Sequence, residues 1–136
     1  MMKGFLFICS MLFSMSSYAQ CWIVNGDFKG YTASHGSKYQ FIENSRASKG
    51  NVYIDITEDK VKIKQDNSSA FDMTIAYEVI AKNAFVGNST ALGMTTLEQW
   101  LITKDNKLLL TETLEYHDTP EMNTVTVWVA DVTGKC

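Results

Sequence analysis

The chain reads as an all-β protein: a single antiparallel up-and-down meander closed into an eight-stranded barrel, its ends joined by a disulfide. Three observations predict this. Apolar and polar residues alternate with the period of two that a half-buried strand requires, and no stretch beyond the first twenty residues sustains a helical period. The connections between these runs are short and rich in Gly, Asn, Asp and Ser, with one proline, Pro120, in the last of them. Cys21 and Cys136 stand at the two tips of the chain that follows the leader.

The leader is set apart by composition. Lys3 gives a positive start, "GFLFICSMLFSM" is an apolar run of about 12 residues, and Ser17 and Ala19 are the small residues of a cleavage site. The run is shorter than the roughly 20 residues of a membrane helix, and none of that length follows. The expectation is a signal peptide over 1–19, a single β-barrel domain over 20–136, no membrane span, and a periplasmic or secreted location. Loss of Lys3 takes the formal net charge from −3 to about −4. So mild an acidity, without a basic face, argues against a nucleic-acid partner.

Cys9 leaves with the leader, so Cys21 has one possible partner, Cys136. Lipidation of Cys21 would need a small residue before it, where Gln20 stands. A catalytic thiol would need a base, and neither His35 nor His117 is near it in sequence. An even pair of cysteines in an exported chain is most simply a disulfide.

Strands are expected over 21–34, 38–44, 51–57, 60–66, 71–81, 94–103, 108–116 and 123–133. In "VYIDI", Val52, Ile54 and Ile56 share one face. In "VKIKQ", Val61 and Ile63 do, and the row Lys60, Lys62, Lys64 is left to solvent. A tight turn at "TEDK" sets Ile56 against Val61, Ile54 against Ile63, and Asp55 against Lys62. Each such cross-strand pair contributes about 0.2–1 kcal/mol. "FDMTIAYEV" places Phe71, Met73, Ile75, Tyr77 and Val79 together. A meander of this size must hide its edges. An even number of strands returns the last strand to the end where the first began, so closure brings Cys21 to Cys136. The disulfide then clasps the seam, with Trp22 and Trp128 on the two terminal strands as core aromatics. The architecture is of the lipocalin or streptavidin kind, without a lipocalin signature such as Gly-x-Trp before the first strand.

The strands flanking "KDNK" are less regular. A two- or four-residue turn sets Leu101 against Leu110, Leu97 against Leu114, and Gln99 against Glu112. With the leucines inward, Gln99 and Glu112 form a polar pair inside the barrel, able to orient a small ligand in an apolar cavity. With Trp100 inward, that pair is solvated. Segment 82–93, with Phe85, Val86 and Leu92, is the longest connection, either a lid or partner-binding loop or an irregular strand tucked into the core. The expected ligand contacts are Gln99, Glu112, Trp100 and Phe85.

His117 with Asp118 and Glu121, and His35 with Ser37, match no catalytic or metal spacing, and both histidines sit in turns. There is no phosphate-binding Gly loop and no Cys/His zinc cluster; no catalytic residue, metal or cofactor is expected. Asn67 and Asn88 begin glycosylation-like triplets that matter only in a eukaryotic host. The expectation is a non-enzymatic binding protein with a small apolar or amphipathic ligand in the barrel. The alternative is a protein-binding inhibitor or immunity-type module acting through loops 82–93 and 117–122 on a partner protein.

Overall fold

Alternation becomes eight strands in the structure, a computed structural model that describes residues 20–66 and 75–136. The expected leader, Asn67 and the opening residues of the strand placed at 71–81 lie outside these. The strands are β1 (Gln20–Ser34), β2 (Phe41–Thr57), β3 (Lys60–Gln65), β4 (Ala76–Ala81), β5 (Ala84–Ala91), β6 (Met94–Ile102), β7 (Lys107–Tyr116) and β8 (Thr124–Lys135). Short 3-10 turns at His35–Ser37 and Pro120–Met122 complete the described chain.

All neighbours pair antiparallel, in the order β3-β2-β1-β8-β7-β6-β5-β4. The first and last strands are therefore laced together, and the barrel is nearly closed. Its two remaining edges, β3 and β4, stand side by side with no ladder between them among the described residues. Cys21 and Cys136 are bonded at the β1–β8 seam, with Cα atoms 5.2 Å apart. The Cys136 N–H donates to the Cys21 carbonyl at 3.1 Å.

The β2–β3 hairpin has the expected register, including Ile56 opposite Val61 and Asp55 opposite Lys62. Thr57 pairs with Lys60, which leaves a two-residue turn of Glu58 and Asp59. Two boundaries differ from expectation. The expected strands 38–44 and 51–57 are one continuous strand, β2, and "ENSRASKG" is part of it. Residues 41–47 of β2 pair with β1, while β3 joins only from Val52 onward. Residues 45–47, between the two expected strands, are exposed, so nothing selects an apolar face there, and that part of the strand reads as a loop.

Segment 82–93, in turn, holds the short strand β5. Its Ala84 and Phe85 are buried, at 6 % and 0 % exposure. Leu92, expected among the apolar contacts of that segment, is instead fully exposed in a two-residue turn. Leu92 and Gly93 both have positive φ, 54° and 75°, the type I′ geometry that matches strand twist. Merging one pair and adding one strand keeps the count at eight.

The core fills the end of the barrel nearest the disulfide. Val24, Ile54, Ile56, Leu108 and Leu110 are buried there, as are Trp22 and Trp128. Trp128 meets Phe28 edge-on, with centroids 6.3 Å apart. Each such aliphatic side chain contributes about 1.5–3 kcal/mol by leaving water.

Candidate functional site

Strand register arranges the interior into rows that run across the strands. One row reads Val79, Phe85, Trp100, Leu110, Trp128, Gly30, from β4 to β1. The next, one step away from the disulfide, reads Tyr77, Gly87, Glu98, Glu112, Thr126, Thr32. The interior thus passes from an aromatic and aliphatic layer to a polar one within a single step along the strands.

The polar row is a connected network. Glu98 is only 9 % exposed. Its Oε2 accepts from the Tyr77 hydroxyl at 2.8 Å and from the Trp100 indole N–H at 3.2 Å. Charge-assisted bonds of this kind offset the cost of burying a carboxylate. Gly87 makes this possible: a Cβ there would lie 2.6 Å from both Ile75 Cγ2 and Tyr77 Cδ1. The missing side chain leaves the space that the Tyr77 ring fills beside β5. That ring meets Phe85 edge-on at 5.0 Å, and Phe85 stacks on Trp100 at 5.3 Å. Burial and then the Glu98 charge push the Tyr77 hydroxyl pKa well above the usual phenol range.

Glu112 stands directly opposite Glu98. Burial, followed by the Glu98 charge, raises its carboxyl pKa, against weaker opposing effects of Arg46 and Trp128. Farther along the row, the Thr126 and Thr32 hydroxyls are 3.0 Å apart. Asn44 Nδ2 donates to Thr32 Oγ1 at 3.0 Å.

Three of the four expected contacts enter this region: Glu112, Trp100 and Phe85. Gln99 does not. The expected Gln99–Glu112 pair is corrected by one residue: Gln99 faces Thr111 on the outer surface, and Glu98 faces Glu112. Likewise Leu101 faces Leu109, and Trp100 faces Leu110. The reason is the turn. Thr103 N–H donates to the Lys107 carbonyl at 2.8 Å, leaving a three-residue loop with Asn106 at φ 60°. An odd loop exchanges the faces that a two- or four-residue loop would set. Glu98 and the bonding role of Tyr77 were missed for that reason. The usable signal was Asn106, a residue type that tolerates left-handed backbone.

A second feature lies at the unlaced junction. Inward-facing apolar residues on the other strands are largely buried, whereas Val61 and Ile63 of β3 and Tyr77 and Val79 of β4 are only half-buried. Beside them, at the disulfide end, is a cleft of about 340 Å³ lined by Ile56, Glu58, Val79, Ile80, Ala81 and Lys82. Both walls depart from regular strand geometry at this point. Glu58 has φ 40°. Ile80 falls in a β-bulge between Val79 and Ala81 and is 61 % exposed. Bulges recur at sheet edges and beside functional sites, where they re-aim a side chain.

His117 Nε2 is 2.8 Å from Thr95 Oγ1 and 3.7 Å from Glu115 Oε1. Hydroxyl and carboxylate share one ring nitrogen, whereas a relay through imidazole needs them on opposite nitrogens. His35 packs edge-on against Tyr39 at 6.1 Å. Among the described residues no three His, Cys, Asp or Glu gather as for a metal ion, and no helix is long and apolar enough to cross a membrane. No protein-family model, curated protein or solved structure matches the chain.

Proposed function

We propose, from geometry with no relative to lend a role, that this is an exported, non-enzymatic binding protein for a small amphipathic molecule, seated at the β3–β4 junction. The observation that carries the reading is the cleft of about 340 Å³ beside the unlaced pair, where Val61, Ile63, Tyr77 and Val79 are only partly buried. That volume lies within the range of about 300–1,000 Å³ for small-molecule sites. Among the described residues that line it, four are aliphatic and two are charged, which suits a ligand with an apolar body and a polar end. A disulfide across 115 residues favours an oxidising compartment, in keeping with an exported chain.

The test is a thermal melt of the disulfide-bonded chain, cleaved after Ala19, with decanol as probe. Decanol should raise the melting temperature of the parent and have less effect on Ala81→Leu, a filling change at an exposed position. At about 100 times Kd, a bound probe adds about 2.7 kcal/mol. No shift in the parent rejects the reading; equal shifts in both place the probe elsewhere.

A second reading, a protein-binding module, has one observation in its favour. Leu101, Leu109 and Val129 are cross-strand neighbours on the outer face of β6–β8, exposed by 41 %, 38 % and 39 %. In that case the contact surface is the sheet face rather than the loops.

A further inference from the structure

One wall of the cleft is tied to the interior carboxylates. β4 supplies Val79, Ile80 and Ala81 to the lining, and it is the last strand in the sheet order. Besides its ladder to β5, it is held by Tyr77, two residues before Val79 on the same face. The Tyr77 ring packs edge-on against Phe85 and Trp100, at 5.0 and 6.3 Å. Its hydroxyl donates to Glu98 Oε2 at 2.8 Å, and a bond to a carboxylate is about twice as strong as one between neutral groups.

Along the polar row, Glu98 stands between Tyr77 and Glu112. Residues directly opposite in a ladder have Cβ atoms about 4.5–5.5 Å apart, so the Glu98 and Glu112 carboxyl groups are within reach of each other. Among the described residues, the titratable or charged groups that face Glu112 are Glu98 on β6, Tyr77 on β4 and Arg46 on β2. β8 brings Thr126 and the Trp128 indole, which are uncharged. Burial and then the Glu98 charge hold the Glu112 carboxyl above its ordinary 4.5, against Arg46 and Trp128. Two donors, Tyr77 and Trp100, already serve Glu98, so a proton entering the pair is held at Glu112.

That proton acts on Glu98 in two ways, and both have the same direction. While Glu112 is ionised, like-charge repulsion presses Glu98 toward Tyr77. Once Glu112 is protonated the repulsion ends, and its O–H becomes a donor that draws the Glu98 carboxylate toward β7 and away from Tyr77. We infer that the Glu98–Glu112 pair is a proton-operated latch on the cleft: ionised Glu112 keeps β4 fastened through Tyr77, and a proton on Glu112 loosens that wall and lowers affinity for the ligand. This regulation rests on the reading above that the cleft is the binding site. The competing sensor is Glu58, a carboxylate of the lining itself.

The experiment measures decanol binding by calorimetry between pH 8 and pH 4.5, on the disulfide-bonded chain prepared from residue 20 onward and shown folded across that range by circular dichroism. Decanol has no charge to titrate there, so any slope belongs to the protein. The parent should bind roughly fivefold more weakly, or weaker still, at pH 4.5 than at pH 8, the low end of coupling between sites. Glu112→Gln puts a permanent uncharged donor opposite Glu98, and Tyr77→Phe removes the fastened hydroxyl. Each should bind weakly throughout, with a change below about twofold across the range. Glu58→Gln should keep the parent's slope. A flat parent profile, a slope that survives in Glu112→Gln or Tyr77→Phe, or one that vanishes in Glu58→Gln overturns the latch while the cleft remains a binding site. If decanol binds at no pH, the cleft reading itself fails and the latch goes with it.

Discussion

Replacing Cys21 and Cys136 together by serine tests the seam on which the barrel depends. The bond closes a loop of 115 residues. In the chain-entropy model such a loop contributes about 4.8 kcal/mol by restricting the unfolded chain. The native seam survives the replacement, because β1 and β8 remain laddered from Lys29–Val129 to Ser34–Thr124, far from the cysteines. The variant should therefore fold, with the loss falling on stability. A domain of about 117 residues unfolds with an entropy of about 0.25 kcal/mol/K near its midpoint, so the melting temperature should fall by about 15–20 °C. The assay is a circular dichroism melt of parent and double variant, each shown reversible and two-state. A fall below about 5 °C would refute the reasoning, as would two titratable thiols in the chain prepared from residue 20 onward.

The interior network offers three more tests. Tyr77→Phe removes the hydroxyl bonded to Glu98 and should cost about 1.5–3 kcal/mol in urea unfolding. Gly87→Ala should cost a similar amount, about 1–3 kcal/mol, by crowding that ring; an unchanged midpoint in both would remove the network from the account. Glu112 has a folded-state pKa above its ordinary 4.5, so the folded chain holds this proton more tightly than the unfolded one. That contribution is present below about pH 4.5 and is lost as pH rises through the raised value. Glu112→Gln should remove this slope and, by ending the opposition to Glu98, gain about 0.2–1 kcal/mol at pH 7. Parallel stability curves for parent and variant between pH 4 and 8 would count against it. Lastly, a Cβ at Gly30 would lie 1.8 Å from the Val127 carbonyl oxygen, whereas one at Gly36 meets nothing nearer than 4.0 Å. Gly30→Ala should lose more than about 3 kcal/mol, and Gly36→Ala should stay within about 0.5–1 kcal/mol of the parent, as read by thermal melts.

Particular residues show where a sequence can be read and where it stops. The β2–β3 register was legible because two patterns agreed on it: Ile54 and Ile56 needed Ile63 and Val61, and Asp55 needed Lys62. The β6–β7 register was not. Leucines and polar residues occur on both faces of that pair, so composition does not say which face is inside. Strand β5 was obscured by Gly87, which interrupts the inward row for the sake of Tyr77, and by the small outward residues Asn88 and Thr90. The middle of β2 was obscured because residues 45–47 bury neither face.

Local chemistry alone was enough to establish strands of alternating polarity in an antiparallel meander, and a covalent tie between Cys21 and Cys136; the count of eight agrees because one merged pair offsets one added strand. These follow from properties a chain carries residue by residue: side-chain period, turn composition and cysteine placement. Which carboxylate meets Glu112, and which two strands stand without a ladder between them among the described residues, came only with assembly. A period of two says that neighbours point apart, not which of them points inward. That choice depends on whether a turn has an even or odd number of residues, and on which strands arrive to cover an edge. Glu98 in place of Gln99, and a cleft walled by the end of β2, its turn and β4, are consequences of those two facts.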